Sequence, residues 1–433
     1  MTSAITGAAG LARPPRAGLL FLCLSTSSLL PPAHAIRSTN AQSPRSLSLY
    51  APQTCPINRD TSSAVTGLRS FHSSSHSWKS SSQFAYHVAA SYAAKRNKFK
   101  AEDNLYTHDI YDPSKAEYRS LRECKTAKDP RYRANSGQDA FFYSQVGTSQ
   151  STTFGVADGV GGWVESGIDP ADFSHGLCEY MACYARSFPD RSHTKPLRAK
   201  DLLQVGYDEV IDDEDIVGGG STACLAVAEP DGSVEVANLG DSGFMHLGLN
   251  AVRHFTQPQT HAFNTPFQLS KTPQKMLRQM AVFGGPSTLS DLPKVASVTH
   301  HQVRHGDVLV FATDGVWDNL SPQDVLGIVS RNMVASGAWV DKEGGMEVSD
   351  ELHKLVQADT GRKANSAALQ ARLSIAIAKE AKETGKNTRR DGPFAREVQK
   401  YYPGENWHGG KPDDIAALVA LVVETPAAPQ SKL

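Results

Sequence analysis

The first hundred residues are nearly without acidic side chains: Asp60 stands alone against eleven Lys or Arg and nineteen serines. So few apolar and so many small polar residues cannot build a packed core, which predicts a disordered leader over residues 1–100. The bias also fits a mitochondrial presequence, which is basic, serine-rich and acid-poor. Arg69-Ser70-Phe71 before His72-Ser73-Ser74-Ser75 has the form of a presequence cleavage site. A secretory signal competes, since Leu19–Leu24 is apolar and Ala33-His34-Ala35 is small-x-small. Mitochondrial import, to the matrix, is preferred because the basic bias runs far past the length of a signal peptide.

Other scarcities narrow the chemistry. Net charge is close to nil, 44 Lys and Arg against 45 Asp and Glu, so nothing global favours nucleic acid or an anionic membrane. The one long apolar stretch, Ala17–Leu30, is broken by Ser25, Thr26, Ser27 and Ser28 and is too short to span a bilayer, so no stable membrane insertion is expected. The six cysteines include no C-x-x-C pair, and those beyond the leader are expected to be free thiols in a reducing compartment. Also absent are a Cys-x₅-Arg phosphatase loop, a Walker-type phosphate loop and a G-x-S-x-G elbow, which fits a single-step hydrolysis without a covalent enzyme intermediate.

What is present begins near Asp103. Residues 103–424 read as one compact domain, with a polar helical insertion near 341–410, followed by a flexible tail over 425–433. The tail ends Ser431-Lys432-Leu433, a peroxisomal address that predicts a second cellular pool. Strands are expected at Ala140–Val146, Thr152–Ala157, Ala223–Ala228, Val234–Leu239, Gly243–Leu247, Val308–Thr313 and Ile415–Val423. Pro230-Asp231-Gly232 marks a hairpin between two of them. Helices should start at Asp169 with Pro170 following, and at Ser321 with Asp324 completing a capping box. Hairpin-joined strands with helices gathered between them point to an α+β fold.

Four acidic motifs share one design, an aspartate delivered at or beside the end of an apolar run next to a glycine or polar turn: Gln138-Asp139, Ala157-Asp158-Gly159, Thr313-Asp314-Gly315 and Pro412-Asp413-Asp414. Two unit charges ~4 Å apart interact by about 4 kcal/mol at an effective dielectric of ~20, so aspartates gathered at one locus call for cations. Hard ions such as Mg²⁺ and Mn²⁺ take oxygen ligands of this kind. An Asp-Gly pair alone is ordinarily a turn, and it is order and spacing together that give these weight. Asp241 reads as a buried structural acid, Gly218–Thr222 as a turn entering a core strand, Trp163 as a packing anchor, His300 and His301 as surface residues and Arg389-Arg390 as a solvated face.

Six blocks in order resemble the metal-dependent serine/threonine protein phosphatases of type 2C. They are Gly137-Gln138-Asp139-Ala140, Gly155 through Trp163, Gly219 through Ala223, Ala237 through Ser242, Ala312 through Asn319, and Pro412 through Ile415. Asp158-Gly159-Val160-Gly161-Gly162-Trp163 with the leader looks like the mitochondrial subgroup, tied to phosphoproteins of mitochondrial metabolism and coenzyme Q biosynthesis. The resemblance implies a four-layer α/β/β/α sandwich of two antiparallel sheets flanked by helices. It implies two Mg²⁺ or Mn²⁺ ions, bridged by Asp158, with the Gly159 carbonyl on one, Asp314 and Asp413 on the other, and Asp139 acting through water. Phosphorylated proteins would be the substrates and a monomer the working form. Three departures stand out: Gln138 replaces an acid, Val160 replaces a histidine, and the family's phosphate-binding arginine falls on Ala134, leaving Arg133 or Arg131 as substitutes. Those departures keep two alternatives open, a weakly active phosphoprotein-binding regulator and a hydrolase of small phosphoesters.

Overall fold

The computed structural model describes residues 83–107, 133–189, 195–283, 290–357 and 368–425. The proposed cleavage site, Arg131 and the Ser431-Lys432-Leu433 tail lie outside them. Two antiparallel sheets form the centre. The first runs β2-β1-β11-β10-β7-β8, where β1 is Gln83–Ala93, β2 Leu105–Thr107, β7 Gly243–Gly248, β8 Ala251–Phe255, β10 Val308–Ala312 and β11 Ile415–Thr425. The second runs β9-β6-β5-β4-β3, with β3 Asp139–Gln145, β4 Thr152–Asp158, β5 Ala223–Ala228, β6 Ser233–Leu239 and β9 Ser297–Gln302.

Three apolar cores separate four layers. Tyr86, Val88, Phe154, Phe244, Phe311 and Leu418 pack between the sheets, with Phe154 edge-on to Phe311 at 5.4 Å. Helices α1 (Pro170–Arg186) and α2 (Ala199–Asp212) cover the outer face of the second sheet through Phe173, Leu177, Met181, Leu202 and Leu203. Helices α3 (Pro322–Ala335) and α4 (Leu369–Lys386) cover the first through Val325, Val329, Leu373 and Ile377. This is the expected α/β/β/α sandwich. All seven expected strands are present, Gly232 takes the left-handed φ of +85° that its hairpin needs, and both helix starts form as read. Asp169 accepts the Ala171 N–H, and Ser321 and Asp324 cap each other.

Two boundaries are corrected. The leader does not extend to residue 100, because β1 is a fully paired strand running antiparallel to β11 from Gln83↔Thr425 to Ala93↔Ile415. It was illegible because it is buried from Tyr86 to Ala90 on both faces, so it shows no polar-apolar alternation, and it sits inside serine-rich sequence. Nor is 341–410 simply an insertion: α4 is a core helix, and a short hairpin, Trp339–Lys342 with Gly345–Val348, precedes it. A chain starting at Lys95 should therefore fail to give a cooperative thermal transition, whereas one starting at Ser81 should melt as the full chain does. Equal melting of the two would show β1 to be dispensable.

Cys178 and Cys224 are free and buried, but Cys183 is disulfide-bonded, against the expectation of free thiols. Spacing along the chain carries no information on that pairing distance. No described helix is long and apolar enough to cross a membrane.

Candidate active site

Antiparallel register brings the first two aspartates together. Asp139 opens β3 and Asp158 closes β4, and the two are cross-strand partners. Asp314 follows β10 and Asp413-Asp414 precede β11, which is hydrogen-bonded to β10, so four chain segments meet at one end of the sandwich. They line a cleft of about 780 Å³ with Gly159, Thr222, Asp241 and Lys411.

Each carboxylate is braced by its neighbours. Thr313 donates its hydroxyl to Asp139 Oδ2 at 2.7 Å and accepts the Ala416 N–H at 3.0 Å, linking three segments through one side chain. Ser221 Oγ and the Thr222 N–H both donate to the Asp158 carbonyl, at 2.9 Å each. Asp414 lines the same cleft and accepts the Gln138 N–H at 2.9 Å. Lys382 of α4 is buried and donates to the carbonyls of Ala94 (2.7 Å), Lys95 (3.1 Å) and Asp413 (3.3 Å), stitching the end of β1 to the Asp413 segment.

The electrostatics are those of crowded acids. Burial, then the charge of Asp414, holds the Asp139 carboxyl well above the usual carboxylate range. Burial, then Asp314 and Asp139, does the same to Asp158. Asp413 is raised by burial and Asp314, Asp318 to about 7 mainly by burial, and Asp241 to about 8 by burial and Asp314. Asp314 is the exception: burial opposes its ionisation, but the Lys411 charge and hydrogen bond outweigh it and the net direction is down.

The Protein phosphatase 2C family profile matches residues 130–357. The protein phosphatase PTC7 homolog fig of Drosophila ananassae is 34% identical over 310 residues, 70% of this chain and 78% of that one. The Homo sapiens protein phosphatase PTC7 homolog is 32% identical over 292 residues, 66% and 80%. This chain belongs to the protein phosphatase 2C family. Among solved structures, the photosystem II phosphatase PBCP aligns with a TM-score of 0.47 at 23% identity, over 67% of this chain and 93% of that one.

The chain is thus a protein phosphatase, an enzyme acting on phosphorylated proteins, and the sequence-predicted residues can be placed within it. Asp158, Gly159, Asp314 and Asp413 share the cleft; Asp139 lies just behind it, buried. Among the described residues no three His, Cys, Asp or Glu side chains are close-set enough to hold an ion as they stand. Oxygens of Asp314 and Asp413 are turned onto lysines instead: Lys411 contacts both, and Lys95 sits 3.2 Å from Asp413 Oδ1. Arg133 is not a cleft residue; it pairs with Asp172 at 2.5 Å at the start of α1. Asp241 lines the cleft rather than serving only as a structural acid, while Trp163 is the buried anchor expected, donating to Gln268 at 3.1 Å. Arg390 is no free surface group, since it binds Glu380 and Asp324 at 2.7 and 3.0 Å.

Sequence reasoning missed Lys95, Arg96, Lys382, Asp318 and Lys411. Asp318 stands inside the block Ala312 through Asn319 and Lys411 immediately precedes the block Pro412 through Ile415, and the signal available for Lys411 was charge: a basic residue two positions from a ligand candidate. Lys95 and Arg96 carried no signal, because nothing local tells that β1 ends at the cleft.

A pH dependence follows from the raised carboxyls. In the unfolded chain these acids ionise near 4, whereas in the fold Asp139, Asp158, Asp241, Asp318 and Asp413 keep their protons to higher pH. At these acids the folded state binds more protons, so the stability they contribute at low pH is lost as pH rises through the folded values, up to about 8 for Asp241; of the cleft carboxyls with a shifted value, Asp314 works the other way. In EDTA, Tm should fall between pH 5 and 8, and saturating Mn²⁺ should flatten the decline. A flat profile in EDTA would contradict this.

Proposed function

We propose that this phosphatase hydrolyses phosphoserine and phosphothreonine on proteins with two Mg²⁺ or Mn²⁺ ions held by Asp158, the Gly159 carbonyl, Asp314 and Asp413, with Asp139 in support. The observation that carries the reading is the convergence of four sequence-distant segments on one cleft whose carboxyls repel each other. The donor set is all oxygen, which suits hard divalent ions. Bound there, the ions would acidify a water and neutralise the phosphoryl oxygens.

The chain's own residues do the positioning. Thr313 occupies one oxygen of Asp139 and leaves the other free to orient a water. Ser221 and Thr222 fix the strand end that carries Asp158 and Gly159. Lys95 and Arg96, at the end of β1, set two cations in the cleft wall and stand in for the missing arginine as the grip on the substrate phosphate. Val160 supplies no proton, so leaving-group protonation falls to solvent.

Comparing phosphopeptides with phosphometabolites under Mn²⁺ tests the substrate class. Peptide turnover should dominate, and preference for small phosphoesters would reverse the assignment. We also infer import to the mitochondrial matrix, from the acid-poor leader, with a peroxisomal pool addressed by the final tripeptide. Imaging a tagged chain with and without residues 1–75, and with and without Leu433, decides both.

A further inference from the structure

The ε-ammonium of Lys411 is 2.6 Å from Asp318 Oδ2, 2.7 Å from Asp314 Oδ2 and 3.3 Å from Asp413 Oδ2. An ammonium has three protons, and three carboxylates stand within reach to take them. Its side chain is only 16% exposed, and Asp241 faces the same charge. The arrangement is built from several directions. Asn319 clamps the Lys411 backbone, accepting its N–H at 2.9 Å and donating to its carbonyl at 2.8 Å. Helix α5 (Pro393–Tyr401) places the Phe394 ring 5.0 Å from the ammonium, and the Phe394 N–H holds the Asp318 carbonyl at 3.0 Å. Lys95 differs: it too meets Asp413, but its side chain is half exposed and free to leave with solvent or substrate.

We propose that Lys411 is a permanent cation of the active site, filling the pocket between Asp241, Asp314 and Asp318 so that a divalent ion cannot enter there. Carboxylate oxygens are the donors a hard cation takes, and a tethered ammonium that already satisfies them excludes an exchangeable one. The same contacts preset Asp314 and Asp413 before metal arrives, making Lys411 a positioning residue. The inference rests on the two-metal reading above.

The test is the number of Mn²⁺ ions bound, by calorimetry and by metal analysis after dialysis, for the full chain and for Lys411→Ala, Lys411→Gln and Lys411→Arg. Wild type and Lys411→Arg should bind two ions. Lys411→Ala and the neutral Lys411→Gln should each bind three, and in EDTA their Tm should fall several degrees below wild type and recover with Mn²⁺. Two ions of unchanged affinity in folded Lys411→Ala and Lys411→Gln would overturn the proposal and leave the two-metal reading standing. A wild-type chain that binds none would remove the two-metal reading itself. Refolding the alanine variant with Mn²⁺ present gives the same count if it does not fold in EDTA.

Discussion

Asp158→Asn should lower kcat/KM on a phosphopeptide with Mn²⁺ by about a thousandfold, the order of loss when one preorganised electrostatic element is removed. That is about 4 kcal/mol of transition-state stabilisation at ~1.4 kcal/mol per decade. Asp158 faces Asp139 across the β3/β4 pair and has Asp314 as its strongest charged neighbour, so it is the carboxylate with access to both halves of the cluster. The amide is nearly isosteric but lacks the charge. The same change should leave the metal-free protein at least as stable at pH 8, because Asp158 is half-buried beside Asp314, Asp139, Asp241 and Asp413 and its ionisation works against the fold. Phosphate release and a melt in EDTA, on the same preparation, read the two effects. Equal turnover of variant and wild type would retire the assignment of Asp158.

Gly315→Ala should be among the most damaging single methyl additions at the described glycines. A Cβ there would lie 1.9 Å from the Asp414 carbonyl oxygen and 3.1 Å from Ile415 Cγ1, well inside contact distance of a main chain that cannot rotate away. Either the Asp314 turn or the start of β11 has to move, and overpacking of this kind costs roughly 1–3 kcal/mol or more. The shift displaces Asp413 from Asp314, so Mn²⁺ affinity should fall together with the urea midpoint. Gly162→Ala is the control, since a Cβ there meets nothing within 4 Å and should change neither. A stable, fully metal-competent Gly315→Ala would mean that the two segments are not packed as described.

How much of this was legible beforehand differs from element to element. The strands Thr152–Asp158 and Val308–Ala312 announce themselves as short apolar runs stopped by Asp-Gly, and the aspartates at their ends line one cleft. Periodicity and capping depend on neighbours within a few residues, so α1 and α3 could be read from Asp169-Pro170 and Ser321-Pro322. Strand β1 could not, because a strand buried on both faces inside serine-rich sequence shows no period.

Residue order alone therefore determined the family, the α+β layering and the four acidic segments, since each rests on local pattern. Tertiary structure decided which cations answer those acids. Lys95 reaches Asp413 across 318 positions, and Lys411 reaches Asp314 across 97. Coulomb attraction acts through space, so the partner of a charge is set by the packing of distant strands rather than by neighbours along the chain.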